Sequence, residues 1–202
     1  MSYKIGITGG IATGKTLVGN TLEELKIPVI SADEIVHELL EEKFYQDRIK
    51  EIFGEEVFDK GILNRKKLAK IIFSNREERE KLNALLHPPV LQEIKRRLEL
   101  IDFYDIVAIE IPLLFEVGVE DWFDEVWVVY APLDMQIERI VSRDKVTEGE
   151  ALLRIASQMP MEEKIKKADF IIYNVGDVES TKDQVMNRIS YLRRMIYNKR
   201  LE

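Results

Sequence analysis

Tyr3-Lys4-Ile5-Gly6-Ile7-Thr8-Gly9-Gly10-Ile11-Ala12-Thr13-Gly14-Lys15-Thr16-Leu17 decides the fold. Tyr3 to Thr8 reads as a short strand. Glycine, any four residues, glycine, lysine and threonine follow, from Gly9 to Thr16. A helical pattern then runs from Leu17 to Leu25. Strand, glycine-rich turn and helix in this order make a phosphate-binding P-loop. Its glycines let the backbone wrap closely, so that successive N–H groups surround an anion. The helix N-terminus adds positive potential. Lys15 can reach the terminal phosphates, and the Thr16 hydroxyl can ligate Mg²⁺. Gly9, Gly10, Ile11, Ala12, Thr13, Gly14, Lys15, Thr16 and Leu17 are therefore the candidate nucleotide contacts. Chance produces the pattern in roughly one chain in 150 of this length.

Further along, Ile27-Pro28-Val29-Ile30 reads as a second strand. Ile106 to Ile111 and Glu125 to Tyr130 are nearly continuous apolar runs, as in strands buried on both faces. Phe170 to Tyr173 is a last short strand. Helical patterns cover Leu133 to Arg143, Glu148 to Ser157, Met161 to Ala168, and Val178 to Asn198. The expected fold is α/β, with a five-stranded parallel sheet flanked by helices. Residues 34–100 show no strong strand. Ile35, Val36, Leu39 and Leu40 fall at helical spacing, as do Leu68, Ile71 and Ile72, and Leu82, Leu85 and Leu86. Lys60-Gly61 marks a turn, and His87-Pro88-Pro89 is expected to interrupt a helix or start one. The stretch is too long for a simple crossover. It is read as a helical insert between core segments 1–33 and 101–202.

Composition narrows the chemistry. The 202 residues are 46% hydrophobic, enough for a full core. Acids outnumber bases by 37 to 30, and the net charge of −7 argues against a general nucleic-acid binder. The absence of cysteine excludes a thiol nucleophile, a thiolate zinc site and a disulfide scaffold. Two histidines leave little for a histidine-rich metal site. No apolar run approaches the ~18 residues of a membrane span. No signal-peptide pattern opens the chain. The expectation is a soluble, cytoplasmic protein with no nucleic-acid or membrane partner.

A P-loop serves switches, motors and kinases alike. A guanine-binding switch should carry Asp-x-x-Gly, yet no aspartate here precedes a glycine by three positions. For a motor's strand-end acid, only Glu110 sits near the right place. The first acid after the loop is Asp33, directly behind the second strand. Ligands gather at the carboxyl ends of parallel strands, so Asp33 should share a crevice with Lys15. There it can take the proton of an attacking hydroxyl. Its rival role is a helix N-cap. The residues alone support a small-molecule kinase.

The chain also resembles the dephospho-coenzyme A kinases, which catalyse the last step of coenzyme A biosynthesis. The matches are Ile7 to Thr16, Ala32-Asp33, Leu85-Leu86-His87-Pro88 and Ile111-Pro112-Leu113-Leu114-Phe115-Glu116. They continue through Arg139, Arg143-Asp144, Arg154-Ile155-Ala156-Ser157-Gln158-Met159, Ala168-Asp169 and Asn174-x-Gly176. They run in the family's order over nearly the whole chain. The resemblance implies ATP and Mg²⁺, dephospho-coenzyme A as acceptor, and transfer to its ribose 3′-hydroxyl. It implies that Asp33 is the base and that the insert holds the acceptor. One departure stands out. Ser31 occupies a position where the family usually has a first Asp, which puts an auxiliary metal or water role in doubt.

Arg139 and Arg143 lie one helical turn apart and share a face. The resemblance sets Arg139 beside the nucleotide and Arg143 on the transferring phosphate, where a planar guanidinium suits the oxygens. A solvated basic face paired with Asp144 is the alternative; Arg154 reads as a surface ion-pair residue. Residues 143–168, rich in charge and poor in bulk, suit a helical lid that excludes water, or a fixed hairpin. Asn174 could meet adenine or simply turn the chain. His87 could lie near the acceptor or bond at a helix end. Leu113, Leu114 and Phe115 could line an acceptor pocket or pack in the core, where Trp122 and Trp127 are expected. Two rival functions remain: a related kinase for another small alcohol or nucleotide, and a non-catalytic nucleotide-binding regulator. A regulator has no use for a base at Asp33.

Overall fold

A computed structural model of the chain describes residues 2–200. In chain order the strands are β1 (Tyr3–Gly9), β2 (Val29–Ser31), β3 (Phe58–Asp59), β4 (Ile62–Leu63), β5 (Ile106–Glu110), β6 (Glu125–Tyr130) and β7 (Phe170–Tyr173). The helices are α1 (Lys15–Glu24), α2 (Ala32–Leu39), α3 (Lys43–Phe53), α4 (Arg65–Ser74), α5 (Arg76–Ile101), α6 (Leu133–Asp144), α7 (Glu148–Ala156), α8 (Met161–Lys166) and α9 (Val178–Lys199). Five strands form one parallel sheet in the order β2-β5-β1-β6-β7. The chain leaves β1 toward β2 and β5, then returns to β6 and β7 on its other side. β1 is thus the switch point, where ligands bind in such sheets.

Period-two alternation divides the sheet between two cores. Ile106, Ala108, Trp127 and Val129 face α1 and α9, meeting Leu22, Val185 and Ile189. Val107, Ile109, Val126 and Val128 face the other way, toward Ile35, Leu86 and Ile94. That second cluster is continuous from Ile30 in β2 to Leu63 and Leu68 in the insert. The insert therefore has no separate core. Among the described residues, no helix is long and apolar enough to cross a membrane.

Three features depart from the sequence reading. A strand pair lies in the insert: Phe58 pairs with Leu63 and Asp59 with Ile62 across the Lys60-Gly61 turn. Both turn residues have positive φ, 51° and 82°, which suits a two-residue hairpin loop. Strands of two residues give no alternation to read. Secondly, α5 runs unbroken through Pro88 and Pro89. Two helical N–H groups are missing there. The buried stripe of Leu82, Leu86, Val90 and Ile94 nevertheless continues across them, and packing holds the helix. Thirdly, β2 starts at Val29. Lys26 turns the chain at φ 63°, and Ile27 closes the end of α1 by donating to the Leu22 carbonyl at 3.0 Å.

At the sheet edge remote from the P-loop, the Ser2 N–H donates to Asp102 Oδ1 at 3.0 Å. Arg200 donates to Asp105 Oδ1 at 2.6 Å. The first and last described residues thus sit on one loop.

Because one apolar cluster joins insert and sheet, they should unfold together. Ile94 is fully buried between them. Ile94→Ala should remove about 2–5 kcal/mol. In urea, circular dichroism and tryptophan fluorescence should shift by the same amount. Separate transitions would show an independently folding insert.

Candidate active site

The loop from Gly9 to Thr16 is shaped by what surrounds it. At Gly9 (φ 151°) a Cβ would lie 2.5 Å from the Val129 carbonyl, and at Gly14 (φ 103°) 2.1 Å from Asn174 Nδ2. Ala12 holds φ 60° with only a methyl group. The loop's carbonyls are tied by side chains. Thr13 Oγ1 donates to Gly10 O at 3.0 Å, Arg139 to Ala12 O at 3.1 Å, and Asn174 Nδ2 to Thr13 O at 2.8 Å. Gly14, Lys15 and Thr16 open α1, where backbone N–H groups lack intrahelical partners. An anion can take them.

Lys15 is only 8% exposed, and its Nζ donates to Gly10 O at 3.0 Å and Gly9 O at 3.4 Å. Burial lowers the Lys15 pKa, while the carboxylates of Glu110 and Asp33 oppose that shift. Glu110 ends β5, level with Ile7 of β1 and Ser31 of β2. Burial raises its carboxyl above the usual range; Lys15 opposes this, while Asp33 and Glu34 add to it. Ser31, not Asp33, caps α2: its Oγ accepts the Glu34 N–H at 3.3 Å. The serine thus supplies the cap, and the exposed Asp33 side chain makes no hydrogen bond with another described residue.

A cleft of about 900 Å³ opens above the loop, lined by Ile11, Ala12, Gly14 to Leu17, Asp33, Glu110, Arg139, Arg143 and Asn174, among others. Arg143 is 59% exposed and folds onto its neighbour Asp144, with Nε 2.7 Å from Oδ1. Arg154 bonds the same carboxylate. Arg143, then Arg154, holds Asp144 below the usual carboxylate range. Asn174 lines the cleft, but its amide buttresses the loop: Nδ2 holds Thr13 and Oδ1 accepts from Thr181 at 3.1 Å. Oxygen donors suited to Mg²⁺ lie here in the Thr16 hydroxyl and the carboxylates of Asp33 and Glu110. The described residues hold no cluster of three His, Cys, Asp or Glu side chains. Mg²⁺ needs none, since it usually takes one or two carboxylates plus phosphate and water.

A second, more apolar pocket of about 250 Å³ adjoins the cleft, between the insert and the 111–117 loop. Asp33, Val36, Phe73, His87, Leu91, Pro112 and Leu113 are among its walls. Burial lowers the His87 pKa, with Glu116 opposing, which favours the neutral imidazole. Leu114 belongs elsewhere. It is fully buried in the core, against Gly6 and Phe123. Phe115 is likewise core, at 5% exposure. The two cavities meet at Asp33, Phe73, Pro112 and Gln158.

The 111–117 loop is fastened to both neighbours. The Pro112 carbonyl accepts from Thr8 Oγ1 at 3.1 Å and from Lys164 Nζ at 2.9 Å. Lys164, fully buried, also pairs with Glu116 at 2.8 Å. Within the 143–168 segment read from the sequence as a lid, α8 is thus tied to the 111–117 loop through Lys164. Phe73, Glu110 and Gln158 were not singled out as site residues by the sequence. Glu110 left a trace as an acid at a strand end, and Gln158 as a member of the quoted Arg154-to-Met159 stretch.

A family model, dephospho-CoA kinase, matches residues 3–180. The dephospho-CoA kinase of Carboxydothermus hydrogenoformans is 42% identical over 187 residues, 90% of each chain. Among solved structures, Thermus thermophilus TT1252 superposes with a TM-score of 0.79 at 32% identity, covering 94% of this chain and 97% of that one. The Campylobacter jejuni dephospho-CoA kinase gives 0.68 at 31% identity, covering 95% and 98%. The P-loop, the strand-end acids and the two adjoining cavities are thus carried by a chain that belongs to the dephospho-CoA kinase family.

Proposed function

We propose that this chain moves the γ-phosphoryl group of ATP to the ribose 3′-hydroxyl of dephospho-coenzyme A, with Asp33, Lys15 and Arg143 as its working residues. The observation that carries this reading is the meeting of the two cavities at Asp33. Of the four residues that the cavities share, Asp33 alone carries a carboxylate, so donor and acceptor can meet beside it. The loop from Gly9 to Leu17 and Arg139 hold the triphosphate, with Asn174 keeping the loop in shape. The insert, with His87 and Leu113, holds part of the acceptor. Asp33, free of capping duty, accepts the hydroxyl proton. Lys15 exchanges the carbonyls of Gly9 and Gly10 for phosphate oxygens. Arg143 exchanges Asp144 for the phosphoryl group in transit. Thr16 and the nearby carboxylates would hold Mg²⁺ together with the phosphates, and the ion would neutralise charge on them. α7 closes the cleft against water, the competing acceptor. The direct experiment supplies ATP, Mg²⁺ and dephospho-coenzyme A and follows the product. ADP and coenzyme A should form in equal amounts. ADP without coenzyme A would reject the acceptor, and neither product would reject the kinase.

Asp33→Asn isolates the base. Ser31 caps the helix, so melting should barely move, and ATP should still bind. Turnover should fall by at least about 10²-fold, the lower range of general-base effects. A value within a few-fold of the parent would remove Asp33 from that role.

Arg143→Lys keeps the charge but loses the two-pronged contact. Turnover should drop further than ATP affinity changes. Equal turnover in both proteins would take Arg143 out of the transfer step.

Glu110 gives a pH signature. Its folded pKa lies above the unfolded value, so the native state binds the proton more tightly. Stability from this group is present below the unfolded pKa of 4.5 and is lost as pH rises through the folded value. Glu110→Gln, which never ionises, should therefore raise the melting temperature at pH 7 to 8 and lose that advantage below pH 4.5. An unchanged gap across this range would refute the buried-acid reading.

A further inference from the structure

Of the four residues shared by the two cavities, Phe73 and Pro112 have no side-chain donor, and Asp33 is acceptor-only when ionised. Among these four side chains, only that of Gln158 can donate a hydrogen bond. Its place is fixed on three sides. Its Oε1 accepts the Ile11 N–H of the P-loop at 2.8 Å. Its own N–H donates to Ile155 O at 3.2 Å, just beyond α7. The next residue, Met159, donates its N–H to Glu116 Oε1 at 2.9 Å, and Glu116 is the partner of buried Lys164. Gln158 thus stands on backbone tied to the 111–117 loop, while its side chain reaches the loop that grips phosphate.

A carboxamide has one oxygen and two N–H donors on the other side of the same planar carbon. Facing an N–H, the oxygen must be the atom at Ile11, which settles the orientation of the amide. Gln158 makes no other side-chain hydrogen bond to a described residue. Its donors are therefore available where phosphorus must cross. The group is neutral, so it adds donors without adding positive charge beside Lys15 and Arg143.

We propose that Gln158 is a further catalytic residue, whose Nε2 amide donates to an oxygen of the phosphoryl group as it passes from donor cleft to acceptor hydroxyl. The inference rests on the kinase reading above. The Ile11 N–H sets the angle of the amide, and the Met159–Glu116 and Lys164–Glu116 contacts set its position. Preorganised donors of this kind are worth about 10²–10³-fold in turnover. The docked segment also binds the loop through Gln158, so donor alignment and lid seating occur together.

Gln158→Glu keeps an oxygen for Ile11 and loses the donors. Gln158→Met keeps the length and loses both functions. The readouts are kcat and KM for both substrates, equilibrium ATP binding and melting temperature. Both variants should lose about 10²-fold in kcat, with KM values, ATP binding and melting close to the parent. If Gln158 only latches the segment to the P-loop, the Glu variant turns over like the parent and the Met variant does not. If added charge alone is harmful, only the Glu variant fails. Parental turnover in both variants leaves no role at all. Each of these three results overturns the proposal. Basal ATP hydrolysis, with water in the acceptor's place, is followed in parallel and should fall in the same two variants. A parent that hydrolyses ATP but makes no coenzyme A overturns the acceptor assignment. Variants that hydrolyse ATP at the parental rate overturn Gln158.

Discussion

Where the loop leaves β1 and passes the ends of β6 and β7, there is room for backbone and nothing else. Any side chain at residue 9 would strike the Val129 carbonyl, and any at residue 14 would strike Asn174. This close approach fixes the path of the loop, and the path decides the rest. Once the carbonyls of Gly10, Ala12 and Thr13 are tied by side chains, the free amides at the start of α1 are left for an anion. The Lys15 ammonium lies along the same loop and donates to the carbonyls of Gly9 and Gly10. Buried cation and buried acid, Lys15 and Glu110, moderate each other in the space that a nucleotide would fill.

The sheet was legible because its strands are buried on both faces and read as apolar runs. The loop was legible because a backbone-only passage permits few residue types. What escaped depends on neighbours far apart in the chain. Glu110 reaches Lys15 only through the parallel register of β1 and β5. Gln158 meets Ile11 across 147 positions. Leu113 and Leu114 are consecutive, yet one faces a cavity and the other the core, a distinction that an unpaired apolar triplet cannot announce. Pro88 and Pro89 mislead for the opposite reason: local chemistry argues for a break, and the stripe from Leu82 to Ile94 overrules it.

Ser31 resolves a competition that the sequence left open. Its hydroxyl takes the helix cap, and the neighbouring Asp33 carboxylate is left without a hydrogen-bond partner among the described residues. Similarly, the segment after α6 divides in two. Its second half is nailed to Pro112 and Glu116 by a lysine with no solvent exposure, whereas α7 packs on α6 and α4 and pairs Arg154 with Asp144. Pro112, which that lysine holds, is also a wall of the second, more apolar pocket.

The loop at 102–105 receives both Ser2 and Arg200, at the edge of the sheet away from the P-loop. A short linker across that loop could join Ser2 to Arg200. The exposed Lys60-Gly61 turn, which borders neither cavity, could then be opened in its place. Such a circularly permuted chain would retain every strand neighbour and both walls of the transfer point.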